Sequence, residues 1–546
     1  MKLNFVKVLA VCVLALSLAA CKSNSNSTTG TQGTSSSTAD TAIAQNNDSK
    51  ESNSSAELKS FLVRFHDNPY VVMDETPVKY NSNGESIVKN IEEKEKEEII
   101  KARDEFRKNL LKSKSNLLHN AATTANVETK AVFQNNDLVE DLVDNDQAVI
   151  RTLSEIDNKK LTSASLSAKP WSDDYWGIYK GILGARYADP KFAGSEWNEF
   201  HKYILDNPVS NYIKDGKIAM LSPSEKYDLL VNDKSGTLTK IMWGEGEEYF
   251  KANGTVETWM GICHGWAPAS YMVPRPEQAV TVKSADNQHD IIFYPSDIKA
   301  LSSLYWANLK YSSKFIGGRC NKKEASIRKD NSNGRIVEQD CFDTNPGTWH
   351  MAVVNQIAVS KRSFVIDATW DYQVWNQPVL SYSYKYFNPE TFAESEQSKD
   401  VIIPINTFKK DKFKKFRSAN AKYIVGVQMK LTYMVETSPD QSLTDEESKD
   451  ATNSVSYQYD LELDQNKNII GGEWYTNKHP DFLWTPEKDA STLTNLDRKA
   501  TGTWNLSNEN NKSLPAVWAN VGILSSREGR PLGKILNALI EAARKK

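Results

Sequence analysis

Gly261-Ile262-Cys263-His264-Gly265-Trp266-Ala267 is the stretch on which the reading of this chain turns. Glycines on both sides of Cys263 allow a tight turn and a close approach to the thiol. Two later stretches complete a pattern: Pro346-Gly347-Thr348-Trp349-His350-Met351-Ala352 and Phe364-Val365-Ile366-Asp367-Ala368-Thr369-Trp370. Cysteine, histidine and aspartate follow one another in the order of a thiol nucleophile, its base and the carboxylate that orients the base. A thiol reacts as thiolate and needs a partner that favours that form. A helix starting after Cys263 would add its dipole. Pro268 puts that start near 266–268, because proline fits the first helical turn.

His350 opens an apolar run, Met351 to Val359, which reads as a strand. Ser363 to Trp370 reads as the next strand, so the two would form a hairpin. A turn centred at Val359–Ser360 makes Asp367 the diagonal neighbour of His350 on one face. A turn at Lys361–Arg362 brings Asp371 nearer instead. Asp367 is the favoured orienter and Asp371 the alternate. A carboxylate among Phe364, Ile366 and Ala368 is costly unless it is paired. His264 is a poor base for its neighbour, since adjacent side chains on an extended segment diverge.

The chain begins with Lys2, Lys7 and an apolar stretch from Val8 to Leu18, too short to span a bilayer. Leu18-Ala19-Ala20-Cys21 resembles a bacterial lipoprotein processing box. The resemblance implies cleavage before Cys21, lipidation there, and export to the outer membrane of a Gram-negative cell. Residues 22–56 are Ser-, Thr-, Asn- and Gly-rich and read as a disordered tether. The cysteines fit an oxidising compartment. Cys12 leaves with the signal and Cys21 is lipidated, so Cys263, Cys320 and Cys341 remain. Cys320 and Cys341 flank a polar loop whose closure by a disulfide would stabilise by about 3–4 kcal/mol. That leaves Cys263 as a free thiol. Net charge is −3, from 67 basic and 70 acidic residues, and nothing in it suggests nucleic-acid binding. No cofactor is expected. There is no clear calcium loop and no metal-ligand spacing, and calcium dependence stays open.

A chain this long predicts more than one core. The class is α+β. Residues 57–157 are expected as a small ferredoxin-like α+β domain, in the order strand (Leu58 to Phe65), long helix (Glu85 to Leu118), strand (Val127 to Phe133), short helix (Asp137 to Val143), strand (Ala148 to Ile156). It is similar to subtilisin propeptides, which implies a chaperone or inhibitor of the catalytic region. The bland alternative is an accessory binding module. Asn158 to Lys169 reads as a linker. The catalytic region is placed at 165–405 and a β-rich continuation at 406–515. The long strand Tyr423 to Val435 falls in this part, as do two strands flanking Asp464-Gln465-Asn466-Lys467-Asn468. In the last segment, 516–546, Leu532, Ile535, Leu536, Leu539 and Ile540 fit an amphipathic helix.

Cys263-His264-Gly265-Trp266-Ala267-Pro268-Ala269, Asp343-Thr344-Asn345-Pro346-Gly347, Asp367-Ala368-Thr369-Trp370-Asp371 and Val374-Trp375-Asn376-Gln377-Pro378-Val379 resemble the transglutaminase elicitor family. The likeness runs over about residues 165–485. It implies a thiol-protease-like catalytic core with Cys263, His350 and Asp367 as its triad. The implied reaction is acyl transfer. Cys263 forms a thioester with a glutamine side chain, and a lysine or small primary amine then takes the acyl group. Water in place of the amine gives deamidation. Trp259, Trp349 and Trp375 are candidates to bind substrate or the oxyanion, with Trp243 a further donor. Expected partners are proteins with accessible Gln and Lys. The alternatives are a papain-like protease, which usually has Asn as third member, and a non-catalytic surface protein.

Overall fold

The computed structural model describes residues 55–87, 137–318, 320, 326–338, 341–370, 373–506 and 513–545. The signal, nearly all of the tether, most of the expected helix from Glu85, the expected strand Val127 to Phe133 and Asp371 lie outside the described residues. Residues 57–546 form one compact unit.

Its centre is an antiparallel sheet. The strands are β1 (Lys79–Asn81), β2 (Ser163–Ser165), β3 (Val280–Lys283), β4 (Asp290–Phe293), β5 (Ser313–Gly317), β6 (Val365–Asp367) and β7 (Asn376–Phe387). They continue as β8 (Glu394–Ser395), β9 (Ile403–Pro404), β10 (Tyr423–Val435), β11 (Ala451–Leu463), β12 (Ile469–Trp474) and β13 (Phe482–Pro486). The order is β1-β11-β10-β7-β6-β13-β5, with β12 on β11, β2 and β8 on β7, and β9 on β10. Strands β3 and β4 pair separately. The expected boundary at 405 therefore runs through a continuous sheet, since β10 pairs with β7.

Alternation sorts the side chains to two faces. Val365, Phe482 and Trp484 lie with Ala267 in one cluster. Ile366 and Leu483, their chain neighbours, lie with Trp349, Met351, Val353 and Ile357 in another. The helix Cys263–Met272 thus covers one face, and the helix Pro346–Val353 covers the other. The first face also carries a helical core that includes Trp266, Leu301, Leu304 and the C-terminal Leu532, Ile535, Leu536, Leu539 and Ile540. The expected terminal helix is present at Gly533–Ala543.

Three readings of local structure are corrected. Leu58 to Phe65 is helical, within a helix over 55–67, not a strand. Leu58, Leu62 and Phe65 recur at helical spacing and pack on Phe387, Phe413 and Tyr475. Ala148 closes a 3-10 turn over Asp146–Ala148, and a short link leads to the helix Leu153–Asn158, capped by the Thr152 hydroxyl, so Ala148 to Ile156 is not a strand. The described parts of 57–157 therefore do not follow the ferredoxin-like order, and they pack into the main body's cores. The run after His350 is helical, continuing as a π-helix over Val354–Val359. Asn345 accepts from Gly347 N–H, and Pro346 starts the helix. A mostly apolar, mostly buried run satisfies a helix as well as a strand, and here the cap and proline decide.

The disulfide Cys320–Cys341 is formed, and among the described residues Cys263 is the free cysteine. Lys79 of β1 donates from Nζ to Ala368 O at 2.7 Å, tying the N-terminal segment to the end of β6.

Candidate active site around Cys263

Cys263 is the first residue of its helix, three positions earlier than Pro268 suggested; the proline lies inside the helix. Gly265 is required by packing. A side chain there would run into Ser303 O and come within 2.6 Å of Ala307 Cβ, so it lets the 295–308 helix lie against the nucleophile's helix. Gly261 is similarly confined, with Tyr175 Cδ2 2.6 Å from where its Cβ would stand.

The thiol is 6 % exposed. Its Sγ–H points to Val374 O at 3.7 Å, and Asn376 Nδ2–H donates to Sγ at 3.6 Å. Asn376 is fixed in turn by Trp484, whose indole N–H donates to Oδ1 at 2.8 Å. Asp367 stands directly opposite Asn376 in the β6–β7 pair. It shares the face of Val365, and therefore of Cys263. Its Oδ1 accepts from Thr369 Oγ1 at 2.8 Å, Trp375 N–H at 3.0 Å and Thr369 N–H at 3.2 Å. Asp367 so pins the loop whose Val374 carbonyl meets the thiol.

Burial pushes the Cys263 thiol up to about 11; Glu436 and Asp367 add to this, and the amides of Asn376 oppose it. The resting group is a thiol. Its alkylation by iodoacetamide is expected to rise roughly tenfold per pH unit from 7 to 10, following the thiolate fraction. A plateau above about pH 9 would show an ordinary exposed cysteine instead.

Glu436, just past the end of β10, accepts from Gln377 Nε2–H at 2.7 Å. Burial, with Asp174 nearby, pushes its carboxyl up to about 7 against that hydrogen bond. Sequence reading missed both Glu436 and the role of Asn376. Asn376 lay inside a quoted motif, whereas Glu436 had no signal beyond a carboxylate closing a long strand.

His350 is not brought to Cys263. It lies on the opposite face of the sheet, wholly buried, with Nδ1 2.9 Å from Tyr459 Oη and its ring against Tyr384. Nε2 has no partner among the described residues. Burial lowers its pKa to about 3, so it stays neutral. The expected hairpin does not exist, which removes the reason for pairing His350 with Asp367. His264 is likewise buried, its pKa lowered to about 4.

The tryptophans divide. Trp375 packs on Tyr175, with centroids 5.5 Å apart, beside the thiol's loop; its indole donates to Gln373 Oε1 at 3.0 Å. Trp259 is half-buried, and its indole donates to Glu257. Trp349 lies on the other face, against Tyr457 and Trp474, away from Cys263. Trp243 fills the space over Gly181 and Gly184.

Residues 146–498 match the model of the transglutaminase elicitor family. Among solved structures, the GP42 transglutaminase from Phytophthora sojae is similar at 21 % identity and a TM-score of 0.43, over 70 % of this chain and 94 % of that one. No curated protein matches the chain.

Proposed function

The chain belongs to the transglutaminase elicitor family, and from this premise we propose that it is a protein-glutamine γ-glutamyltransferase with Cys263 as nucleophile. The observation that supports this best is the setting of the thiol: helix N-terminus below, Asn376 amide 3.6 Å from Sγ, carboxylates beside it. Cys263 Sγ attacks the γ-carboxamide carbon of a glutamine side chain. The Cys263 N–H, in the first turn of its helix, and Asn376 Nδ2–H are the donors for the oxyanion.

A thiol with so high a pKa needs a base at the moment of attack, and His350 is on the wrong face. Glu436 fills that role, because its pKa near neutrality suits both taking and returning a proton. It takes the thiol proton and passes it to the leaving nitrogen. The C–N bond breaks, ammonia leaves and the thioester remains. A lysine amine then attacks the thioester, the C–S bond breaks, and an isopeptide bond and free thiol result. Water attack gives glutamate. Tyr175 and Trp375 form an aromatic wall that limits water.

The test is incorporation of a fluorescent amine into a glutamine-donor protein such as casein, with ammonia measured in parallel. Peptide cleavage without ammonia release would point to a papain-like protease. Neither activity would point to a non-catalytic surface protein. Glu436→Gln is expected to lower kcat by about 10²-fold or more and remove the rising limb of the pH profile near 7. An unchanged profile would exclude Glu436 as base.

The proposal of lipid anchoring at Cys21 and an outer-membrane location rests on Leu18-Ala19-Ala20-Cys21. Among the described residues no helix is long and apolar enough to cross a membrane.

A further inference from the structure

A cavity of about 610 Å³ opens where β13 begins, beside the helix that carries His350. Neither Cys263 nor Asp367 lines it. Its walls include Trp474 and Met351, and its polar lining includes Asp137, Asp343, Thr344 and His479. Asp137 is held in place by Gly317 N–H and Asn345 N–H, each at 3.2 Å.

Of the other three, His479 is stacked on Trp474, with ring centroids 4.4 Å apart, and bonds to the Pro480 backbone. The Asp343 side chain is 8 % exposed, and its Oδ2 lies 3.7 Å from His479 Nδ1, too long for a hydrogen bond. His479 Nδ1 and Thr344 Oγ1 have no partner among the described residues, although the residues are only 6 % and 1 % exposed. Buried polar groups are nearly always satisfied, because each unsatisfied one costs about 1–3 kcal/mol. Arg335 and Arg151, which also line the cavity, are paired with Glu473 and Glu140. Burial, with Asp137 and Asp367 nearby, raises the Asp343 carboxyl well above its usual range, and burial lowers His479 to about 3. His479 is neutral, and burial biases the Asp343 carboxyl toward its protonated form. The group of acceptors is pre-formed and held at a cost to the fold.

We propose that this cavity binds an organic ammonium ion, a primary aliphatic amine, with its head on Asp343, His479 and Thr344 and its stem against Trp474 and Met351. An ammonium has three N–H donors and no acceptor. Among the described residues the cavity offers two buried acceptor atoms without partners, His479 Nδ1 and Thr344 Oγ1, and beside them the Asp343 carboxyl with its negative charge once ionised. Asp137, fixed behind, adds negative potential. An inorganic cation would leave the apolar walls unused, and an anion would face two carboxyls. The amine could be free or a lysine side chain of a protein. The site stands apart from Cys263 and does not depend on its chemistry.

The experiment is calorimetric titration of the full chain bearing Cys263→Ala, so that no probe is consumed. Cadaverine stands for a free amine and Nα-acetyl-lysine amide for a protein side chain; the tighter of the two identifies the source. Binding is expected to release a proton as Asp343 ionises, so the heat should change with the ionisation enthalpy of the buffer. The groups facing Asp343 that could share this proton are Asp137, Asp367 and His479. Asp343→Asn is expected to weaken binding at least tenfold without lowering the unfolding temperature, since the acid has no hydrogen bond to lose. Thr344→Val serves as the second variant, with a severalfold loss expected. No binding of either probe at ~10 mM, or equal binding by both variants, would overturn the proposal.

Discussion

Cys263→Ala is expected to abolish amine incorporation and ammonia release together, by about 10³-fold or more, while the fold persists. Both products pass through the same thioester, so no partial activity can survive on one branch. The fold should tolerate the change. Alanine has high helix propensity, and the sulfur's own bonds are weak ones at 3.6 and 3.7 Å. Losing the sulfur leaves a small cavity in contact with Asn376, for a cost of about 1–2 kcal/mol. Asn376 keeps its bond from Trp484, so the loop over the site stays pinned. The check is a paired measurement: fluorescent amine incorporation and thermal unfolding of the same preparations. Full activity in the variant would remove Cys263 from the mechanism. A collapse of the unfolding transition would instead show the thiol to be a packing residue. A companion variant sharpens the assignment. His350→Phe replaces one buried ring by another on the far face, and it should lose stability rather than specific activity per folded molecule.

The residues around the thiol are legible in the sequence to different degrees for physical reasons. Cys263 can be singled out by cysteine arithmetic, which does not depend on secondary structure. Asp367 can be placed on a strand because the apolar residues beside it alternate between two buried faces. Whether His350 meets it depends on a choice that local pattern cannot make. Met351 to Val359 is apolar apart from Asn355 and Gln356, and a run that is mostly buried shows no clear period to distinguish helix from strand. The cap at Asn345 and Pro346 carries that information. Once the run is helical, His350 belongs to a layer on the opposite side of β6. Glu436 comes from a distant strand end that meets Cys263 only through the sheet order β10-β7-β6, which single-strand patterns do not contain. The long strands β10 and β11, with the turn between β11 and β12, are legible because one face of each is strictly apolar.

The largest expected effect on stability comes from removing residues 22–157, the deletion that the propeptide-like reading invites. That reading predicts a more active enzyme; the packing predicts a chain that does not fold. Val139, Leu142, Val143, Ile150, Leu153 and Ile156 are all buried in the core that also holds Trp349 and Met351. At about 1.5–3 kcal/mol for each side chain, their loss exposes facing surface worth on the order of 10 kcal/mol, comparable to the whole stability of a domain. The polar losses are worse placed. Arg362 would lose its bidentate partner Asp144, bonded at 2.7 and 2.5 Å, while remaining largely buried. Asn355, also buried, would lose both the N–H and the carbonyl of Ile150. Groups left in that state cost their full desolvation. The family match begins at residue 146, inside the segment that such a deletion removes. A chain starting at 158 is therefore expected to be insoluble or to lack a cooperative unfolding transition. One starting at 55 should unfold cooperatively. Calorimetry on both chains decides it: a transition for the 158–546 chain within a few degrees of the longer one would mean that residues 137–157 are an appendage and that the inhibitory reading regains its ground.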